Sequence, residues 1–93
     1  MTKQLEDLIH KAADVLKSFG ATDVYLFGSV AKGTDNEHSD IDLAVTGIPP
    51  EKFFKAMGST INAIKREFDL VDLDEKNPFV DYLKTHGELQ RVV

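Results

Sequence analysis

Residues 27–45 read FGSVAKGTDNEHSDIDLAV, and this stretch decides the fold that we expect for the chain. Residues 23–27 are rich in β-branched and aromatic side chains, which predicts a short buried strand. Residues 40–45 alternate between polar and apolar side chains, and this period of two predicts a second strand. Between the strands, the sequence predicts a helical turn over residues 30–32 and an exposed polar loop over residues 34–39.

Amphipathic helices and a third strand are predicted on either side of this stretch. Apolar residues at helical spacing predict helices over residues 2–19, 51–67 and 77–86, and residues 68–73 predict a strand. The resulting order is α-β-(turn)-β-α-β-α. We therefore expect one domain over residues 1–93, an α/β sandwich with a mixed sheet of about three to four strands and helices mainly on one face.

Residues at the predicted helix ends support these boundaries. Thr2 is placed to cap the first helix, and Gly20 is placed to stop it. Asn77 followed by Pro78 is typical of a helix start, and Gly87 stops the last helix.

The C-terminal tail ends in two apolar side chains, Val92 and Val93. Packing on the core, pairing with a strand and contact with a partner all remain open for this tail. An exposed apolar pair indicates self-association or a partner contact, so a homo-oligomer is one expectation.

Composition and charge exclude several classes of protein. The net charge of −5 argues against nucleic acid as the main substrate, because phosphate-backbone binding needs a basic surface. The absence of cysteine excludes disulfides, thiolate metal sites and cysteine nucleophiles. The first residues lack the apolar run of a signal peptide or a membrane span, so we expect a cytoplasmic protein with no membrane partner. The histidines, His10, His38 and His86, fit no zinc spacing.

Asp40 and Asp42 share one face of the second predicted strand. The rise of a strand places their Cβ atoms roughly 6–7 Å apart. Carboxylates this close repel each other, and a hard divalent cation between them offsets the repulsion. An isolated pair of this kind is more often a solvated acidic edge, so its meaning depends on neighbouring residues.

Two further features accompany the acidic pair. Gly28 and Ser29 lie between a strand and a helical turn, where a glycine lets the backbone approach a ligand closely. In the third strand, Asp69 and Asp72 lie on opposite faces because their separation is odd, so only one of them can join the pair. A phosphate-binding turn and three carboxylates together indicate a two-metal site for phosphoryl transfer, with Mg²⁺ as the preferred ion.

The segment Gly28-Ser29, ten intervening residues, then Asp40-Ile41-Asp42 resembles the signature of the polymerase-β-type nucleotidyltransferase superfamily. The stretch 27–45 is similar to the minimal nucleotidyltransferase (MNT) proteins in particular. Those proteins are commonly partnered with a HEPN-domain protein in toxin–antitoxin pairs. The resemblance covers essentially the whole chain, including the later strand that contains Asp69.

The resemblance implies a role for each matching residue. Gly28 and Ser29 would hold the terminal phosphates of the nucleotide, and Lys32 falls where the family often has a basic residue that contacts phosphate or only solvates the turn. Asp40 and Asp42 would bind both Mg²⁺ ions. Asp69 matches the third family carboxylate, which holds the catalytic metal and helps to deprotonate the acceptor, with Asp72 as its rival.

The function that this resemblance implies is Mg²⁺-dependent transfer of AMP from ATP to an acceptor hydroxyl. The expected acceptor is a tyrosine of a HEPN ribonuclease toxin, which makes the chain an antitoxin that acts by protein adenylylation. Two alternatives stay open: a non-catalytic antitoxin that occludes its partner, and a small-molecule nucleotidyltransferase of the aminoglycoside type.

Overall fold

The computed structural model describes residues 2–33 and 40–92, with the backbone but not the side chains of Ser29 and Lys32. The helical segments are α1 (Lys3–Ser18), α2 (Gly28–Lys32), α3 (Pro50–Ile64) and α4 (Pro78–His86). The strands are β1 (Asp23–Phe27), β2 (Ile41–Thr46), β3 (Phe68–Asp72) and β4 (Gln90–Arg91). In this described part of the chain, no helix has the length and apolar character needed to cross a membrane.

The four strands form one mixed sheet in the order β3-β2-β1-β4. β1 runs antiparallel to both β2 and β4, whereas β2 and β3 are parallel. The parallel pair follows from the connection through α3, because parallel neighbours need a crossover. Its register places Asp42 beside Asp69. The α/β class, the mixed sheet and the number of strands agree with the sequence-based expectation.

The sheet buries side chains on both faces. On one face, α1 and α3 cover alternate residues of β2, including Ile41, Leu43 and Val45, which are all fully buried. On the other face, α4 packs through Val80 and Leu83 in a smaller cluster. The remaining members of that cluster are Phe27, Ala44 and Leu73. The two longest helices thus share one face, and the shorter α4 covers the face to which Asp42 belongs.

Most predicted helix ends are confirmed by their capping contacts. The Thr2 hydroxyl accepts a hydrogen bond from the Leu5 amide at 3.1 Å, and the Asn77 side chain accepts one from the Val80 amide at 2.9 Å. The expected helix over residues 51–67 was too long, because α3 ends at Ile64. Lys65 takes the left-handed conformation, with φ 57°, and this turns the chain out of the helix.

The C-terminal tail pairs with the sheet. β4 lies beside β1, and the Val92 amide donates to the Val24 carbonyl at 2.8 Å. The Arg91 guanidinium contacts the Asp23 carboxylate at 2.7 Å. Two of the alternatives left open for the tail are therefore confirmed, because the tail pairs with β1 and the Val92 side chain, which is half-buried rather than exposed, packs against the larger core cluster. Val93 lies outside the described residues.

Candidate functional site

The acidic residues meet where β2 and β3 begin. Asp42 is the second residue of β2, Asp69 is the second residue of β3, and the parallel register makes them neighbours. Residues in register on adjacent strands project from the same face, so the two side chains lie side by side. Asp40 stands one residue before β2 and is exposed. The structure therefore brings Asp40, Asp42 and Asp69 to one end of the sheet.

The surroundings of Asp42 raise its pKa. Partial burial of its carboxyl, which disfavours the charged form, is the largest cause that raises its pKa from 3.8 to about 6. The negative charge of Asp69, a side-chain hydrogen bond with Asp69, and the charge of Asp40 raise the pKa further. Three acidic groups thus concentrate negative charge at a partly desolvated position, where a bound cation would be strongly favoured.

Gly28 forms the wall against which Asp42 lies. Its backbone has φ 76°, and an added Cβ atom would meet the Oδ2 atom of Asp42. Phe27, the preceding residue, is the register partner of Asp42 across β1 and β2. A glycine is therefore required for two reasons, the left-handed backbone and the close approach of the carboxylate. The strand-to-turn junction and the acidic pair belong to one site.

The predicted helical turn after Gly28 is confirmed as α2. Val30 is 1% exposed and packs in the larger core cluster, which fixes the middle of the turn. Gly33 ends it with φ 76°. The side chains of Ser29 and Lys32, like the loop of residues 34–39 that includes His38, lie outside what the structure describes. The expected phosphate contacts of Ser29 and Lys32 therefore stay predictions.

Asp69, rather than Asp72, accompanies Asp42. Asp72 stands at the other end of β3, where its Oδ1 atom accepts a hydrogen bond from the Asp74 amide at 2.9 Å. Asp74 in turn accepts a hydrogen bond from the Gly47 amide at 2.7 Å. Asp72 thus shapes the turn after β3, and Asp69 is the aspartate that adjoins Asp42, whereas its role as the third carboxylate stays a prediction.

A small cavity of about 170 Å³ opens beside the acidic residues. Its wall is made by Asp40 and Asp69 together with Ile61, Glu67 and Phe68. Sequence reasoning did not single out Glu67, because it was assigned to the end of a helix. The helix ends earlier, and Glu67 lies in the connection immediately before β3. Its position two residues before Asp69 was the available signal. A larger depression of about 330 Å³ between α1 and β4 shares no residue with this site.

The acidic residues fit a divalent cation by their chemistry. Within residues 2–33 and 40–92, no three acidic or histidine side chains already surround a common point as a finished metal site. Asp42 and Asp69 are register partners, and the negative charge of Asp69 helps to raise the pKa of Asp42. Carboxylate oxygens are the ligands that Mg²⁺ prefers, and a bound cation would offset the repulsion between the two carboxylates.

Comparison with known protein families gives a match over almost the whole chain. The family model described as "Polymerase beta, Nucleotidyltransferase" matches residues 3–89. This range includes β1, α2, β2 and β3, and therefore every residue of the acidic site. A comparison with curated proteins gives no match.

Solved structures with a similar fold come from toxin–antitoxin complexes. A structure described as a toxin–antitoxin with AMP-PNP has a TM-score of 0.73 and 24% identity, covering 90% of this chain and 71% of that chain. An MntA–HepT complex with a tyrosine-to-alanine substitution has a TM-score of 0.65 and 28% identity, covering 86% of this chain and 68% of that chain. A tri-AMPylated Shewanella oneidensis HEPN toxin with its MNT antitoxin has a TM-score of 0.68 and 21% identity, covering 99% of this chain and 72% of that chain.

Proposed function

Because the chain belongs to the polymerase beta nucleotidyltransferase family, we propose that it transfers AMP from ATP to an acceptor hydroxyl in a Mg²⁺-dependent reaction. The observation that carries this proposal is the convergence of Asp40, Asp42 and Asp69 beside the Gly28 turn. Three carboxylates and a close-approaching backbone suit a triphosphate that carries divalent cations, because the charges of the protein and the nucleotide are then balanced through the ions.

Asp40, Asp42 and Asp69 would hold two Mg²⁺ ions. When bound, the ions would supply positive charge that offsets the negative charge of the phosphate oxygens around the reacting phosphorus. Asp42 interacts electrostatically with both Asp69 and Asp40, which suits a ligand shared by both ions. Asp69 is more exposed than Asp42 and is therefore accessible to an incoming acceptor.

The remaining roles concern orientation and proton transfer. The turn that begins at Gly28 and Ser29 would hold the terminal phosphates, with Lys32 as a further contact. The acceptor oxygen forms a bond to the α-phosphorus. At the same time, the bond breaks between the α-phosphorus and the oxygen that bridges it to the β-phosphorus. Pyrophosphate leaves, and Asp69 takes the proton of the acceptor hydroxyl.

For the acceptor, we propose a tyrosine hydroxyl on a HEPN-domain toxin, so that the chain acts as a cytoplasmic antitoxin. The similar folds found in MNT–HEPN complexes, one of them with a tri-AMPylated toxin, support this assignment. The exposure of Asp40 and Asp69 at the end of the sheet also supports an acceptor carried by a protein.

A second candidate is a binding antitoxin that silences its partner by occlusion without transfer. Exposed aromatic side chains favour a contact surface of this kind: Phe54 is 78% exposed, Phe79 52% and Tyr82 57%. Phe79 and Tyr82 lie one turn apart on α4, and Tyr82 contacts His86 with ring centres 5.7 Å apart. Exposed aromatic side chains support partner binding in either candidate function.

Co-expression with a HEPN-domain toxin distinguishes the two functions. We expect the toxin to gain the mass of one or more AMP groups, located on a tyrosine by fragmentation mass spectrometry. Asp42→Asn abolishes the modification while the complex still forms on size-exclusion chromatography, and Asp14→Asn, an exposed acidic residue on α1, leaves it intact. A toxin that is silenced equally by the Asp42→Asn variant, with no added mass, would establish occlusion instead.

A further inference from the structure

We infer that Gln90 is a positioning residue that holds α2 in place for nucleotide binding, an inference that rests on the proposed function. The Gln90 side-chain amide donates a hydrogen bond to the Ala31 carbonyl at 2.9 Å. The two residues are 59 positions apart, so the contact ties the C-terminal strand to the turn that begins at Gly28. No sequence motif singled out either residue.

The hydrogen bond reaches α2 near its C-terminal end. Ala31 is the penultimate residue of this five-residue helix, and the last carbonyls of a helix have no partner within the helix. The Gly33 amide donates to the Val30 carbonyl at 3.2 Å and so satisfies a different acceptor. Among the described residues 2–33 and 40–92, the donor that reaches the Ala31 carbonyl is the Gln90 side chain, which lies outside the helix.

The turn depends on external support because both of its ends are glycines with a left-handed backbone. Gly28 and Gly33 each have φ 76°. Val30 anchors the turn from beneath by burial in the core. Ala31 also packs against the larger core cluster, and the hydrogen bond from Gln90 adds a polar contact to the backbone of the same residue.

Gln90 is itself held firmly enough to act as an anchor. β4 places Gln90 beside Leu26, two residues before Gly28, in an antiparallel pair. The next two residues attach β4 to the sheet, through the ion pair of Arg91 with Asp23 and the amide of Val92 with the Val24 carbonyl. Since β4 and α2 both adjoin β1, the hydrogen bond fixes the angle at which the turn leaves the strand and faces Asp42.

The test compares MgATP binding by wild type, Gln90→Met and Gln90→Glu with titration calorimetry. Methionine keeps the side-chain length without a donor, and glutamate keeps the shape but replaces the donor with a charge. We expect the Kd for MgATP to rise about twofold to fivefold in Gln90→Met, as the loss of one exposed hydrogen bond predicts. Gln4→Met, on the exposed face of α1, is the matched control and leaves the Kd unchanged.

Two further measurements separate positioning from general stability and from the proposed function. The variants should stay fully folded at the assay temperature, while amide exchange at Gly33 accelerates in Gln90→Met. An unchanged Kd with unchanged exchange overturns the inference, and so does a Kd that rises only as the variant unfolds or only in Gln90→Glu. If wild type does not bind MgATP, the proposed function fails, whereas the exchange at Gly33 still decides whether Gln90 holds α2.

Discussion

The carboxyl group of Asp42 lies against the backbone of Gly28, so close that a Cβ atom at position 28 would stand 3.1 Å from the Asp42 Cγ atom. The same position has φ 76°, which L side chains adopt only at a cost. One glycine thus joins the turn after β1 to the acidic end of β2. A substitution at either residue should therefore change the position of the other.

Gly28→Ala should damage both stability and MgATP binding. The methyl group enforces a left-handed strain of about 1–2 kcal/mol and pushes Asp42 away from the turn. Urea unfolding and titration calorimetry measure the two losses. Gly58→Ala is the matched control: a Cβ atom there meets nothing within 4 Å inside α3, so this variant should gain about 0.5–1 kcal/mol. Equal changes in stability and in MgATP affinity for the two variants would contradict the role assigned to Gly28.

Mg²⁺ should stabilise the folded protein through Asp42. Millimolar MgCl₂ is expected to raise the Tm of wild type, because an ion that binds the native state stabilises it by mass action. Asp42→Asn should abolish most of this increase, whereas Asp14→Asn should retain it. Differential scanning fluorimetry with MgCl₂ and with an equal ionic strength of NaCl measures the effect. An identical Tm increase in wild type and Asp42→Asn would remove Asp42 from the ion site.

The metal-free protein should lose stability as the pH rises through the range from about 4 to about 6. Asp42 has its pKa raised from 3.8 to about 6 on folding, so the folded state holds a proton that the unfolded state has released in this window. The native state then binds more protons than the unfolded state, and the free energy of unfolding falls with increasing pH. For an ion-paired aspartate, whose pKa is lowered on folding, the free energy of unfolding would instead rise with pH.

Urea unfolding in EDTA at a series of pH values measures this dependence. Asp42→Asn removes the titrating group, so the variant should lose the downward slope between pH 4 and 6 and gain relative to wild type at pH 7. Asp14→Asn should keep the wild-type slope. A wild-type curve that rises with pH across this window, in parallel with Asp42→Asn, would show that Asp42 titrates normally.

Lys65→Gly should stabilise the protein. Lys65 ends α3 with φ 57°, a conformation that glycine adopts without steric cost, so the gain should reach up to about 1 kcal/mol. Lys55→Gly is the matched control in the exposed interior of the same helix, where glycine should cost about 1 kcal/mol. Thermal unfolding monitored by circular dichroism compares the two; a loss of stability in both variants would exclude strain at Lys65.

The sequence predicted the secondary structure well where local signals were strong. The strand before Gly28, the alternation around Asp42 and the cap at Asn77 all depend on neighbours within a few residues, and each is present. The end of α3 was misplaced because Lys65, Arg66 and Glu67 are ordinary helix formers, and only the backbone shows where the turn occurs. Strand pairing of the tail stayed one of three open alternatives in the sequence, since the two exposed residues of β4 carry no periodic pattern and pair with the edge of β1.

The sequence by itself determined the chemistry of the candidate site: a glycine between strand and turn, and aspartates on or immediately before two strands. Period-two alternation assigns each aspartate to a face without knowledge of the rest of the fold. Tertiary structure alone decided that Asp69 rather than Asp72 adjoins Asp42, and that Gln90 reaches Ala31. These relations join residues distant in the chain, so they arise from strand register and sheet order, which packing of the whole molecule selects.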